Sequence, residues 1–446
     1  MEALLYEQGL RVAGVSAYKL TKDTGPIVRS SPGNVYVADP ASVQRIFQIK
    51  GEFKKASWYS RIAPGAGSVF STTDVETHRR FRRLLSGPMS ESGLKAVLPQ
   101  VESKVRLAVQ RIGEEMESKG AADVWKWWLF MATDVIGELS FGESFRMLEY
   151  RKINQYAKDL QTLDKMNSLR VTFPIVLWIS WLIPSLEINN AGTIVPRILG
   201  YARQSIERHR ALVENGDGAH VARTLLQKVY QAQEDESMTT EELTTNARTY
   251  IVAGSDTTAN TLTWLTWAVC RGDPQIRKRL AAEVGALSPD FTNDDVKHLP
   301  YLNQVIQETL RLYPAVPAGL ARTVPPGEGV TFAGRWLPAG TTVLAQAYSL
   351  HRDPVAFPDA ERFDPSRWEK PTQAMKDSFM PFGGGSRTCL GIHLAYIELR
   401  MGAARFIREF PNASVSSLEG MCDEDMIADA FFLASPRGHR CLIQRS

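Results

Sequence analysis

Apolar residues recur every three and four positions through 92–111 and again through 150–169. That spacing lays one apolar stripe along a helix, so both stretches are predicted as helices over a core. A longer helix is predicted from about Thr240 to Arg271, after the loop-like segments GDGAH and QAQEDESMTTEE. Thr239 and Glu242, three apart, form a capping box at its start, and GDP ends it. A further helix follows. In HLPYLNQVIQETLRLYPAVP, Pro300 suits a first helical turn and Pro314 forces a stop. Beyond it, GVTFAGRWLPAGTTVLAQAYSL breaks β-rich runs with Gly and Pro, the pattern of small hairpins. A last long helix is predicted to begin near Cys389. The chain has no repeat and no Gly-, Ser- or Pro-rich linker, so one mainly α domain with minor β over residues 1–446 is expected.

With 446 residues, 44% hydrophobic and 23% charged, the chain can bury a large core and is neither disordered nor fibrous in composition. A net charge of +3 and a pI of about 8.5 argue for no nucleic-acid partner. Four scattered cysteines, Cys270, Cys389, Cys422 and Cys441, make no disulfide framework and point to a reducing compartment. Cys389 and His393 stand one helical turn apart, but no second pair completes a structural zinc site. The amino-terminal stretch MEALLYEQGLRVAGVSAYKLTKDTGP contains neither a spanning apolar run nor a clear signal peptide. Phe173–Ile188, FPIVLWISWLIPSLEI, is too short and Pro-interrupted to span. Its Trp178 and Trp181 suit a peripheral membrane contact, and a buried core helix suits the same residues.

Three constellations carry candidate chemistry. In YIVAGSDTTANTLTWLTWAV, Gly254 to Thr258 are five consecutive poor helix formers, costing on the order of a few kcal/mol relative to alanine. Such a run marks either a place where a ligand presses on the helix or a packing notch for a neighbouring helix. Glu308 and Arg311 share a helix face. On a surface that pair is worth a few tenths of a kcal/mol at roughly; buried among Leu310, Leu312 and Tyr313, it would instead fix a backbone position. Cys389 alone would be an inert buried thiol. In FMPFGGGSRTCLG, however, it lies where a glycine-rich loop meets a helix start, two residues after Arg387. Both features favour the thiolate, a soft and strongly donating ligand suited to iron.

Together these residues resemble the cytochrome P450 family, the haem-thiolate monooxygenases. FGGGSRTCLG, Phe382 to Gly391, matches the family's F-G-x-G-x-R-x-C-x-G loop in full, ETLR its E-x-x-R, and AGSDTT its oxygen-binding helix. AERFDPSRW is similar to the P-E-R-F region, with Ala360 in place of the proline. The resemblance implies a single-domain fold that holds haem b, iron protoporphyrin IX, between the oxygen-binding helix and the Cys-loop helix. It implies Cys389 as axial iron ligand, Phe382 packed beside it, and Gly391 and Ala253 among the haem contacts. Asp256 and Thr257 would relay protons during oxygen activation, and Glu308, Arg311 and Arg362 would form a buried charge triad. Arg387, Arg322 and Arg82 would meet the propionates, with His78 where the family often has tryptophan. Arg79, Arg80 and Arg83, near Arg82, are expected at the surface, either docking an acidic electron donor or simply solvated. Val316, Ala318, Leu320, Phe431 and Phe432 would line an apolar substrate pocket.

The implied activity inserts one oxygen atom from O2 into a hydrophobic small molecule, with electrons from NADPH through NADPH–cytochrome P450 reductase. Arg387 and the ERFDPSRW run look eukaryotic and especially fungal, of a secondary-metabolism type. Two rival readings are a haem-thiolate isomerase or dehydratase that does not activate O2, and a haem-binding carrier or sensor without turnover. Such eukaryotic enzymes carry an amino-terminal anchor and a proline-rich hinge. The chain as given shows neither, and the expectation is an endoplasmic-reticulum enzyme facing the cytoplasm with its anchor absent here.

Overall fold

Helices dominate the computed structural model, which describes residues 18, 21–62, 67–159, 162, 191–214, 238–430 and 432–445. Phe173–Ile188, GDGAH, most of QAQEDESMTTEE and Phe431 lie outside the described residues, as does most of the helix expected beyond 159. In chain order the longer helices are α1 (Val75–Ser86), α2 (Leu98–Lys119), α3 (Val124–Phe141), α4 (Ala191–Glu214), α5 (Thr240–Arg271), α6 (Pro274–Gly285), α7 (Pro300–Leu312) and α8 (Ile392–Glu409). The strands are short: β1 (Ile27–Ser31), β2 (Asn34–Val37), β3 (Lys54–Lys55), β4 (Ala122–Asp123), β5 (Gly319–Thr323), β6 (Val330–Phe332), β7 (Arg335–Leu337), β8 (Thr342–Gln346), β9 (Ser414–Val415), β10 (Ala428–Ala430), β11 (Ala434–Pro436) and β12 (Leu442–Gln444).

Local chemistry sets the boundaries. The Thr239 N–H donates to Glu242 Oε2 at 3.0 Å and the Glu242 N–H to Thr239 Oγ1 at 3.2 Å, so the capping box opens α5. Pro300 occupies the first turn of α7, which ends at Leu312 ahead of Pro314. The helix expected from residue 92 is divided into a short helical turn, Glu91–Leu94, a 3-10 turn, Lys95–Val97, and the long helix from Leu98, where Pro99 suits a first turn. That long helix buries Val101, Val105, Ala108, Ile112 and Met116 in one stripe.

Contacts divide the chain into two compact units. The first comprises Met1–Ala56, Val105–Leu129 and Asp256–Ser446. Its main sheet runs β1-β2-β8-β5-β3, with β2 and β8 parallel and the other pairs antiparallel. Val35, Val37, Ile46, Phe47, Val343 and Ala345 form the apolar cluster at this sheet. The hairpin β6–β7 lies in the Gly- and Pro-broken run, as expected, and a second hairpin, β10–β11, forms nearer the carboxyl end. The second unit comprises Ser57–Lys104 and Phe130–Ser255. There Asn246 of α5 accepts the Val69 N–H at 2.8 Å, and Arg197 of α4 grips Asp159 at 2.7 Å.

Candidate functional site

The glycines around Cys389 have separate reasons. Gly383 (φ 71°) and Gly385 (φ 63°) hold left-handed conformations that side chains resist. A Cβ on Gly385 would also collide with the Phe47 carbonyl oxygen, and one on Gly384 would come within 3.1 Å of Phe47 Cβ. The loop is thereby pressed onto Phe47. Its end is pinned by the Cys389 N–H donating to the Phe382 carbonyl at 2.9 Å, while the Phe382 ring lies 5.3 Å from that of Tyr396. α8 starts at Ile392, with Gly391 at its cap. The Cys389 side chain is exposed, so the loop presents its sulfur instead of burying it.

Close to this loop three cations gather. In the antiparallel pair β3–β5, Lys55 stands directly opposite Arg322, an arrangement of like charges that is ordinarily destabilising. Arg322 is buried with its guanidinium 4.7 Å from the centre of the Phe47 ring. Burial, then Arg322 and Arg387, push the Lys55 ammonium well below the usual lysine range. Lys55 is a functional candidate that sequence reasoning missed: EFKK reads as an ordinary polar edge, and only the strand register sets it against Arg322.

Beneath the loop lies a buried charge network. Glu308 and Arg311 are wholly buried and joined by paired bonds of 2.8 Å. Arg362 does not supply the third charge. Its side chain is exposed, and only its backbone carbonyl takes part, accepting from Arg311 Nη2 at 3.1 Å. The second guanidinium on Glu308 is that of Arg367, at 3.1 Å, with the Trp368 indole donating at 2.9 Å. The reason is local: Asp364 caps a short turn, Pro365–Trp368, by accepting the Ser366 N–H, and that turn aims Arg367 and Trp368 at Glu308. Buried His351 links the network to the loop, its Nε2 accepting the Met380 N–H at 2.9 Å. The proton therefore sits on Nδ1, donating to the Arg311 carbonyl at 3.0 Å. Burial drives the His351 pKa down to about 3, so it is neutral at ordinary pH.

The run of poor helix formers in α5 is continuous helix. Ser255 Oγ bonds back to the Ile251 carbonyl and Thr261 Oγ1 to that of Thr257, each at 2.8 Å. A Cβ on Gly254 would meet Ile136 Cγ1 at 2.8 Å, so Gly254 is a packing notch for α3. Asp256 is pushed up to about 6 by desolvation, and Thr257 beside it is half-buried. The next residue, Thr258, hydrogen-bonds with Glu398 of α8, a buried carboxyl that desolvation raises to about 8. Sequence reasoning missed Glu398 too, although a glutamate flanked by Ile397 and Leu399 on an apolar helix face was a signal.

A family model described as Cytochrome P450 matches residues 9–439. The chain belongs to the cytochrome P450 family. It is 48% identical over 427 residues to the cytochrome P450 monooxygenase tazI of Aspergillus terreus, spanning 95% of this chain and 87% of that one. To the cytochrome P450 monooxygenase azaI of Aspergillus niger it is 40% identical over 443 residues, 94% of each. To the cytochrome P450 monooxygenase stcB of Emericella nidulans it is 32% identical, spanning 96% and 82%. This P450 is thus a haem-iron monooxygenase of fungal type, an oxidoreductase that needs O2, a redox partner and a small-molecule substrate.

The residues of this P450 suit haem. An exposed thiol on a rigid loop can ligate iron, and mutually disfavouring buried cations are relieved by carboxylates such as the two propionates. The other expected contacts are distributed as follows. In the second unit, His78 is buried and Arg82 is half-buried beside Tyr250, whose phenol burial holds up while Arg82 opposes it. Ala253 is exposed. Arg79 and Arg83 are exposed, but Arg80 is not: it is half-buried on the Phe81 ring and paired with Glu242. Among the expected pocket residues Val316, Ala318, Leu320 and Phe432 are half-buried, and Leu320 packs on the sheet core with a methyl 3.3 Å from a Cβ placed on Gly383.

Proposed function

We propose that this P450 acts as one catalytic domain that oxidises a lipophilic metabolite of secondary metabolism, drawing two electrons from NADPH through NADPH–cytochrome P450 reductase. The observation that carries the reading is the Cys389 loop, with its exposed sulfur and its adjoining cluster of Lys55, Arg322 and Arg387. Cys389 would hold the iron of haem b, with Phe382 and Gly391 shaping the loop. Lys55, Arg322 and Arg387 would take the propionates, joined on family grounds by Arg82 and His78. When bound, haem supplies the activation of dioxygen.

The protein's own part is to hold and move protons. A carboxyl near 6, as at Asp256, gives and takes a proton readily at neutral pH, and the Thr257 hydroxyl beside it can pass one on. Both would be idle in an isomerase. Val316, Ala318, Leu320, Ala253, Phe431 and Phe432 are all apolar, which favours a hydrophobic substrate held by shape. The native protein would work at the cytoplasmic face of the endoplasmic reticulum, with Phe173–Ile188 as a peripheral contact. Among the described residues no helix is long and apolar enough to cross a membrane.

The test is optical titration of the purified haem protein with terpenoids, polyketides and indole alkaloids. A saturable low-to-high-spin shift with one class is expected and names the substrate family. No shift with any class, together with no NADPH consumption when reductase is added, overturns the reading. Cys389→Ser should abolish the thiolate signature of the reduced carbonyl spectrum; a surviving signature overturns the ligand assignment.

A further inference from the structure

Asn260 lies in α5, three residues after Thr257 and one turn after Asp256. Asparagine is a weak helix former whose amide competes with the backbone, and here it is only 4% exposed. Among its neighbours, Thr261, Thr263 and Thr266 bond back to carbonyls of their own helix, while Thr258 reaches Glu398. Asn260 also reaches off the helix. Its Nδ2 donates to the Ala434 carbonyl at 2.8 Å and its Oδ1 accepts from the Trp125 indole at 2.9 Å. Chemistry fixes which end of the amide is which, because a carbonyl cannot donate and an indole N–H cannot accept.

Ala434 closes the β10–β11 hairpin by pairing with Ala430, so its position sets that of the tip carrying Phe432. Its own N–H donates to the Ala315 carbonyl at 2.9 Å, immediately before Val316. Both main-chain groups of one residue are therefore engaged, one by α5 and one by the segment after α7. Ahead of the hairpin, at the end of the turn Asp423–Met426, the indole of Trp264 donates to the Met426 carbonyl at 3.0 Å. The segment that enters the hairpin is thus tied to α5 by a large ring, but the hairpin mouth is tied by Asn260.

We propose that Asn260 is a specificity-positioning residue: it sets the heights of Phe432 and Val316 along α5 relative to Asp256 and Thr257, and so the ligand size accepted there. The inference rests on the functional reading above, in which Phe432 and Val316 face the substrate. Nothing reacts at Asn260. Losing its donor would leave the hairpin mouth free to shift while the loop of Cys389, on other elements, stays in place.

The experiment compares two nitrogen ligands of haem iron, imidazole and the larger 4-phenylimidazole, by optical titration of the wild-type haem protein and Asn260→Ala. Imidazole affinity should stay within about twofold while 4-phenylimidazole affinity falls about tenfold or more, the scale of one lost buried hydrogen bond. A ratio of the two affinities that departs from wild type by less than about tenfold overturns the proposal, since one tenfold step is the smallest effect it requires. Should Asn260→Ala not retain haem, Asn260→Asp decides, because only its protonated form can donate to the Ala434 carbonyl. A wild-type ratio in acid that departs as pH rises supports the proposal; a ratio unchanged by pH overturns it. Failure of the underlying reading is seen separately, as a wild-type protein that gives no imidazole shift.

Discussion

Glu308 accepts from two guanidinium groups and an indole, so its partners differ in importance in a way that substitution can read. Arg367→Leu leaves a buried carboxylate short of a charge and should cost ~3–5 kcal/mol. Arg362→Leu, at an exposed side chain, should change stability by less than about 0.5 kcal/mol. Denaturant unfolding of the two variants checks the pair, and equal losses would return Arg362 to the network. Glu398 makes a second prediction. Its ordinary pKa of 4.5 rises to about 8 on folding, so between those values the folded protein keeps a proton that the unfolded chain has released. Its contribution to stability is present below 4.5 and is lost as pH rises through about 8. Glu398→Gln should flatten that decline in unfolding free energy, and an unaltered slope would show that Glu398 titrates normally. Lys55→Gln should act with opposite signs on two forms of the protein. Relief of like-charge crowding should raise the thermal midpoint of the haem-free chain, and loss of the proposed propionate partner should speed haem release. The tight loop before Cys389 was legible at this scale because a Gly-rich turn is local. Lys55 and Glu398 were not, because what makes them unusual is burial by distant parts of the chain and, for Lys55, the arginine set opposite it.

At the scale of elements, the two ends of α5 were readable because capping box and terminator are local signals. Its middle was readable only as a pair of alternatives. The structure decides for packing at Gly254, since Ile136 of α3 fills the space. Gly254→Ala should therefore destabilise by ~1–3 kcal/mol despite alanine's better helix propensity. Ile136→Ala in the same chain should recover part of that loss. A stabilised single variant would mean that the notch serves something other than α3. The Pro365–Trp368 turn carries a similar lesson. Two arginines five residues apart in ERFDPSRW look equivalent on the page, and a cap by Asp364 selects the one that points inward.

For the whole molecule, family membership over residues 9–439 settles the class of chemistry, and the proposed proton path can be tested through the balance of products. Thr257→Ala should go on consuming NADPH while product formation falls about a hundredfold, the scale of a lost proton-transfer group. Unchanged product per NADPH would remove Thr257 from the relay. What the sequence by itself determined is what neighbouring residues impose on one another. Glycines that permit the turn before Cys389, a proline that starts α7, and a capping box that starts α5 act within a few bonds. Tertiary structure alone decided which arginine meets Glu308, that Lys55 faces Arg322, that Glu398 faces Thr258, and that Asn260 grips the hairpin at Ala434. Those pairings depend on strand register and helix rotation across long stretches of chain. Burial then gives each its strength by removing the water that would otherwise screen it.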